Sequence, residues 1–429
     1  MAVLISDGAP DRVISRTEKE AHLRAFIDKL GYVPKRVLLL PPDITRFYSE
    51  AGSITAYLHA YLKGRAEAVH VMPALGTHTP MTEPQIRSMF GPDIPLEDFL
   101  VHDWRNGVKK VGTLPAEFIR ELSGDQLDYA VDVEIDTAVT DGGYDLILSI
   151  GQIVPHEVVG MANYTKNVCI GVGGKDIINR SHFLGAVVDM EKLMGRTDTP
   201  VRQLLNHAFE TFLGHLPIQF IMTVIGRDGD ELALRGLYIG REEAYRQACE
   251  LSRQVNLNLL DEPLKKVVVY LEPGEFKSTW LGNKAVYRTR MAIADDGDLI
   301  VLAPAVREFG EDKGIDALIR KYGYFGTPAT LKAVKDHADL GGNLSAAAHL
   351  IHGSSEGRFR ITYCTRPENL TKAEVEGVGF QWASYDETAA KYDPAKLKNG
   401  FNVIDGEKVF YIGNPALGLW ARKELFQKG

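Results

Sequence analysis

Short apolar runs alternate along this chain with longer stretches of helical periodicity. Arg36-Val-Leu-Leu-Leu40, Ala68-Val-His-Val-Met72 and Tyr144-Asp-Leu-Ile-Leu-Ser-Ile150 read as buried strands, and Asn167-Val-Cys-Ile-Gly171 and Phe220-Ile-Met-Thr-Val-Ile225 as two more. Helical stretches such as Glu18 to Leu30 and Ile54 to Arg65 lie between them. Strand-length runs with intervening helices predict α/β architecture with a largely parallel sheet. A second set begins near residue 266, with strands at Lys266 to Leu271, Asp298 to Leu302, Arg360 to Tyr363 and Lys408 to Ile412. Gly314 to Lys321 and Thr330 to Asp336 read as helices between them. The boundary falls at the helix and turn ending near Asp261-Glu-Pro263, which gives an N-terminal domain at 1–263 and a C-terminal domain at 264–429. The longest irregular segment is expected near Asp103 to Pro115, and no internal repeat or low-complexity stretch is seen. The fold expectation is therefore two α/β domains with a cleft between them and active-site loops at strand carboxyl ends.

Length and charge narrow the function classes. A chain of 429 residues exceeds one ordinary core, in keeping with two domains. A net charge of −8 leaves no basic footprint for nucleic acid, while an Arg/Lys pocket inside an acidic shell still suits a small anion. No run approaches the roughly 20 apolar residues of a membrane span, and the Met1 end lacks the pattern of a secretory signal. Cys169, Cys249 and Cys364 are scattered without paired spacing, which argues against disulfides and Cys-based metal sites and fits a reducing cytoplasm.

The candidate chemistry follows the strands. The first runs into Pro41-Pro-Asp-Ile-Thr-Arg46, the second into Ala74-Leu-Gly-Thr-His-Thr-Pro-Met-Thr82, the third into Gly151-Gln-Ile-Val-Pro-His156. Each carries an ionisable group to the sheet edge where open α/β sheets bind ligands. Singly, each has a plain structural reading: Asp43 with Thr45 as a helix cap, and His78 and His156 as satisfied loop histidines. Three such loops on one edge point to chemistry. Two histidines suit a reaction that needs a base on each face of one carbon. Arg46 offers a bidentate grip on a carboxylate or phosphate. Lys166 fits either a solvated strand-end lysine or a reactive amine. Gly171-Val-Gly-Gly-Lys-Asp176 lacks the P-loop spacing and its Ser/Thr, and no G-x-S-x-G elbow occurs. His349-Leu-Ile-His352 has no evident acidic partner and reads as structural; His102-Asp103 reads as a pair supporting the site or as inert.

Taken in order, these loops resemble the LarA-type nickel-dependent lactate racemase family. The family's Pro-Asp-x-Thr-Arg appears as Pro42-Asp43-Ile44-Thr45-Arg46, and its Gly-Thr-His-Arg-Pro as Gly76-Thr77-His78-Thr79-Pro80. Its Pro-His-x-x-Ala-Gly block and following lysine appear as Pro155-His-Glu-Val-Val-Gly160 and Lys166, with His182 downstream at the family's spacing. Trp280-Leu-Gly-Asn-Lys284 is similar to its Tyr-Gln-Ser-x-Lys segment. The resemblance spans most of residues 36 to 290. It implies a nickel pincer nucleotide: a pyridinium-3-thioamide-5-thiocarboxylic acid mononucleotide whose ring carbon and two sulfurs hold nickel. By position, Lys166 joins that cofactor, His182 completes the nickel plane, and His78 and His156 are the alternating acid and base. The resemblance further implies that Asp43, Thr45 and Arg46 lie near cofactor and substrate, and that Lys284 with Arg46 holds the substrate carboxylate. The implied reaction is transient oxidation, in which one histidine takes the hydroxyl proton while the C2 hydride passes to the cofactor and later returns to the other face.

Departures from the lactate pattern bear on the substrate. Met161-Ala-Asn-Tyr-Thr-Lys166 replaces two glycines with Asn163 and Tyr164, Thr79 replaces an arginine, and Leu281 replaces a glutamine. These changes resemble the branch acting on sugar acids, so the expected reaction is C2 epimerisation of an aldonic acid, with polar Asn and Tyr suiting a polyhydroxy chain. The alternatives are a racemase of lactate- or malate-sized acids, a cofactor-free epimerase working through an enolate, and an organic-acid-binding protein.

Overall fold

The N-terminal strands form because their apolar runs are buried on both faces, as in a sheet covered by helices. The computed structural model describes residues 3–229 and 231–426. Its chain divides into two compact units: Met1–Val188 with Lys192–Asn256, and Leu257–Gly429 with the short segment Asp189–Glu191. In the first unit the strands are β1 (Ile5–Gly8), β2 (Arg36–Leu40), β3 (Ala68–Val71), β4 (Val108–Leu114), β5 (Val131–Asp136), β6 (Leu146–Gln152), β7 (Pro155–His156), β8 (Gly160–Met161), β9 (Ile218–Asp228) and β10 (Glu231–Gly240). The main sheet runs β1-β10-β9-β6-β2-β3. β3, β2, β6 and β9 are parallel, while β10 and β1 add antiparallel strands at one edge.

That order sets the place of the site. From β2 the chain moves outward to β3, then returns to the other side of β2 with β6. The switch point therefore lies between β2 and β6, where strands that part in opposite directions leave a crevice at their carboxyl ends. Asn167 spans it from above, its Nδ2 donating to Leu40 O of β2 at 2.9 Å and to Ser149 Oγ of β6 at 3.0 Å. Beneath, Val37, Leu39, Leu148, Ile150 and Ile221 pack against Ile54 and Leu58 of the helix Ala51–Leu62.

Two expectations are corrected. Asn167 to Gly171 is not a strand: Thr165–Cys169 is a helix, with Ile170 N–H donating to Lys166 O at 2.9 Å. A short apolar run buried on every side carries no period, so strand and helix look alike in it. The segment expected to be irregular contains β4, paired antiparallel with β5. Its exposed lysines and lack of alternation hid it.

The second unit has β11 (Leu257–Leu260), β12 (Leu264–Tyr270), β13 (Ile293–Leu302), β14 (Arg360–Thr365), β15 (Gln381–Ser384), β16 (Gly400–Ile404), β17 (Glu407–Ile412) and β18 (Leu419–Arg422). Its sheet runs β15-β14-β13-β12-β17-β16, parallel throughout except for β16. The expected α/β class with largely parallel sheets holds in both units. No helix among the described residues is long and apolar enough to cross a membrane.

Candidate active site

Each site loop leaves a parallel strand of the first unit and is fastened by backbone bonds. After β2, Asp43 caps the short 3-10 turn Ile44–Ser49, its carboxylate accepting from Thr45 N–H at 3.2 Å and from the Thr45 hydroxyl. After β3, Ala74 N–H donates to Pro41 O at 2.7 Å, which ties the second loop to the first. Gly76 (φ +57) donates to Gly171 O at 2.9 Å and so draws in the segment beyond Lys166. Gly171 must be glycine there, because a Cβ would lie 2.3 Å from Asn167 O and 2.7 Å from the Ala74 methyl. The P-loop-like glycines are thus packing points between loops.

Asp43 does more than cap. Its second oxygen lies 2.6 Å from His78 Nδ1. Burial raises the Asp43 pKa, but the His78 hydrogen bond and charge, with Thr45 and Arg46, outweigh it and hold the group below the usual carboxylate range. An ionised carboxylate only accepts, so His78 Nδ1 carries the proton, and the lone pair of the neutral ring sits on Nε2. The plain reading of Asp43 as a cap is correct and accompanies this pairing.

His156 is held differently. It lies in the β7–β8 hairpin, opposite Gly160, whose φ of +84 and close approach to Arg196 O exclude a side chain. Its Nδ1 accepts the Val158 N–H at 3.1 Å, so the neutral ring carries its proton on Nε2. Burial drives its pKa well below the ordinary histidine value, against the pull of Glu157, whose Oε2 lies 3.7 Å from Nδ1. The two histidines therefore hold opposite tautomers when neutral.

Lys166 and His182 complete the group. Burial, then the charge of Arg46, lowers the Lys166 ammonium to about 8. His182, on the helix Lys175–Val187, falls to about 4 through burial and then the charge of Lys166. Its Nδ1–H donates to Ile178 O at 2.6 Å, which leaves the Nε2 lone pair available. Both side chains keep some accessible surface while protein surrounds them closely, as groups lining a recess do. His156 responds to the charges of Lys166, Arg46 and His182, and His182 to that of His78. The structure thus brings Asp43, Thr45, Arg46, His78, His156, Lys166 and His182 to one crevice. Lys284 belongs to the second unit, on the short helix Lys284–Tyr287, with its ammonium 3.6 Å from Glu275 and 5.5 Å from the Phe276 ring centre.

Several supports were not legible beforehand. Arg202, fully buried, donates to Thr165 Oγ1 at 2.7 Å, Met161 O at 2.7 Å and Asn163 O at 3.1 Å. It thereby holds a loop in which Asn163 (φ +61) and Tyr164 (φ +57) both adopt left-handed backbone just before Lys166. Tyr164 does not serve as a pocket hydroxyl group: it is buried, stacked on Tyr245 at 4.8 Å and packed on Phe220 at 4.5 Å. His102 pairs with Asp136 at 2.7 Å and with Gly173 O at 3.1 Å, not with Asp103, and so anchors the glycines ahead of the His182 helix. His349 is structural, 3.0 Å from Tyr324 Oη and packed at a tilt against Trp280, ring centres 4.3 Å apart.

Residues 11–195 match the lactate racemase N-terminal domain family. No curated protein matches the chain. A crystal structure of a Thermotoga maritima protein, 24% identical, superimposes with a TM-score of 0.81 over 97% of this chain and 100% of that one. The lactate racemase apoprotein from Thermoanaerobacterium thermosaccharolyticum, 17% identical, superimposes with a TM-score of 0.70 over 97% of this chain and 94% of that one. At these identities the two structures speak to fold, and the matched domain speaks to kinship. Residues 11–195 thus form a domain of the lactate racemase N-terminal domain family.

Proposed function

We propose that this protein is an isomerase that inverts C2 of a 2-hydroxy acid, with an aldonic (sugar) acid as the substrate. The observation that carries the reading is the placement of two differently held histidines, His78 and His156, in one crevice with Lys166 and His182. In either direction one histidine must take the hydroxyl proton and the other return one, so the pair shares a single added proton. Asp43 makes His78 the favourable place for it, since an imidazolium there meets a carboxylate at 2.6 Å. Burial disfavours charge on His156. Arg46, half-buried beside them, is the carboxylate anchor.

The residues present suit a nickel pincer nucleotide. His182 offers a neutral imidazole whose other nitrogen is fixed by a carbonyl, the usual preparation of a metal-binding histidine. Lys166 is an amine of lowered basicity, able to enter a covalent link. Among the described residues no cluster of three or more His, Cys, Asp or Glu could hold a metal unaided, so the remaining donors would come from the nucleotide. When bound, that group supplies a hydride acceptor that later gives the hydride back. Asn163 supports the sugar-acid choice: both polar atoms of its buried amide lack a hydrogen-bond partner, beside Gly151 at the end of β6.

The test is intact mass and nickel content of protein made alongside a cofactor-synthesis pathway, followed by a panel of 2-hydroxy acids in deuterated water. One nickel per chain, added mass on Lys166 and C2 inversion without deuterium uptake are expected. Deuterium at C2 on every turnover would instead indicate an enolate mechanism.

A further inference from the structure

Beyond the short β7–β8 pairing, the stretch that joins His156 to Lys166 is irregular, so its carbonyls need partners from outside the sheet. They find them on one helix. Thr199 caps Pro200–Ala208, and Arg202 and Asn206 follow it at spacings of three and four residues, on the same face. The Thr199 hydroxyl donates to Val159 O at 3.1 Å. The Arg202 fork donates to Met161 O and Thr165 Oγ1, both at 2.7 Å, and to Asn163 O at 3.1 Å. Asn206 Oδ1 accepts from the Thr165 hydroxyl at 2.7 Å. Every second residue from Val159 to Thr165 is thus held from this helix face. On the far side of Lys166, Asn167 is fastened to β2 and β6.

We propose that Arg202 is a positioning residue for Lys166: with Thr199 and Asn206 it racks the segment after His156 and so fixes where the Lys166 amine stands in the crevice. This rests on the reading of Lys166 as the reacting amine. Energetics favour it over a role in stability alone. Arg202 is fully buried, and its three acceptors are neutral oxygens. Taking a guanidinium out of water for neutral acceptors is costly. The ring faces of Tyr245 and Tyr164, at 4.7 and 5.8 Å, offset that only in part. What the planar fork achieves is reach: it spans acceptors from Met161 to Thr165 and so holds Asn163 and Tyr164 in their left-handed turn. The same cation bears on Lys166. Burial, then the charge of Arg46, keeps that ammonium low; Glu157 opposes them, Arg202 adds to them and Asp43 opposes. His156 and His182 are both lowered by burial, so near pH 8 they are neutral and add no charge. Losing Arg202 therefore acts twice in one direction, since the loop relaxes toward water and a cation disappears.

The test is the pH profile of Lys166 acylation in the full chain made without cofactor synthesis, with exposed lysines of the same digest as reference. Wild type is expected to be half-labelled at about pH 8. Arg202→Met, which keeps length against the two rings, is expected to raise that midpoint by at least about one pH unit. Arg202→Lys keeps a cation but cannot span the acceptors, and is expected to recover less than about half of the shift. A role in stability alone would lower the melting temperature of both variants and leave the midpoint in place. A midpoint in Arg202→Met within about 0.3 pH unit of wild type overturns the proposal. Full recovery in Arg202→Lys also overturns it, by assigning the effect to charge alone. Should Arg202→Met fail to fold, Asn206→Ala decides, at a half-buried position that frees the Thr165 hydroxyl from one side. A rise of about half a pH unit is then expected, and no rise overturns the proposal. Loaded wild type with neither nickel nor added mass on Lys166 overturns the parent reading instead, and the labelling result stands apart from it.

Discussion

His78 Nδ1 and Asp43 Oδ2 lie 2.6 Å apart although 35 residues separate them in the chain. The contact exists because β2 and β3 are parallel neighbours, so the loops leaving their carboxyl ends meet above the sheet. It fixes the tautomer of His78, one member of the proposed acid–base pair, and prepares that ring to carry charge. Asp43→Asn keeps the size of the side chain and its contact with Thr45 but removes the charge. Inversion by loaded enzyme is expected to fall by roughly 10²- to 10⁴-fold, the range for losing an oriented acid–base group. Melting temperature serves as the control for folding. A loss of less than tenfold would show that His78 needs no carboxylate.

Lys166 is expected to react as an amine at a pH where surface lysines are protonated. Burial lowers it to about 8 from an ordinary 10.5, so its neutral fraction is about half near pH 8. Acylation of the apoprotein by an activated ester, followed by peptide mass mapping from pH 6 to 10, reads this directly. Lys166 is expected to reach half-maximal labelling near pH 8. Labelling that rises only above pH 10 would contradict the burial argument.

His182 makes stability depend on pH. Its folded value of about 4 lies below the ordinary value of about 6.5, so the unfolded chain binds the proton more readily. The stability from keeping this ring neutral is fully present above pH 6.5 and is lost as pH falls toward 4. The whole shift corresponds to about 3 kcal/mol. Because the ring keeps some solvent contact, a loss of roughly 1–2 kcal/mol is expected. Urea unfolding of the apoprotein at pH 7 and pH 5 measures it. His182→Gln is expected to remove part of the difference, with His156, shifted the same way, retaining its own share. An equal pH dependence in His182→Gln and wild type would contradict the assignment.

What could be read from the chain follows from what each feature depends on. β2, β6 and β9 were legible because predominantly apolar runs in a sheet buried on both faces need no partner to be recognised. The loop residues were legible by the same logic, as polar groups at strand ends. The crevice itself was not, since a switch point is a property of strand order, which no local pattern records. Nor was the difference between the histidines: it rests on a backbone N–H from Val158 in one case and a carboxylate from another loop in the other. Arg202 left no trace because a single arginine in a helix looks the same whether buried or exposed. Tyr164 was misjudged for a related reason, since a tyrosine in a polar loop reads as a pocket group until its ring is found against Tyr245.

Asn163 separates substrate recognition from folding. Its left-handed backbone (φ +61) is a conformation glycine adopts freely, while its amide is buried without a hydrogen-bond partner. Both features cost stability in the absence of ligand. Asn163→Gly therefore relieves strain and removes an unsatisfied group, offset by the added freedom of the unfolded chain and a small cavity. The apoprotein is expected to melt within a few degrees of wild type, in either direction. If the amide serves the hydroxyls of a sugar acid, the same variant loses about 10- to 100-fold in kcat/KM for gluconate. Lactate, with no hydroxyl beyond C2, should lose less than threefold. Equal losses for both acids would assign Asn163 to the architecture of the loop before Lys166. A large loss of stability would show that the left-handed turn needs the asparagine side chain, leaving the comparison between the two acids to decide its part in recognition.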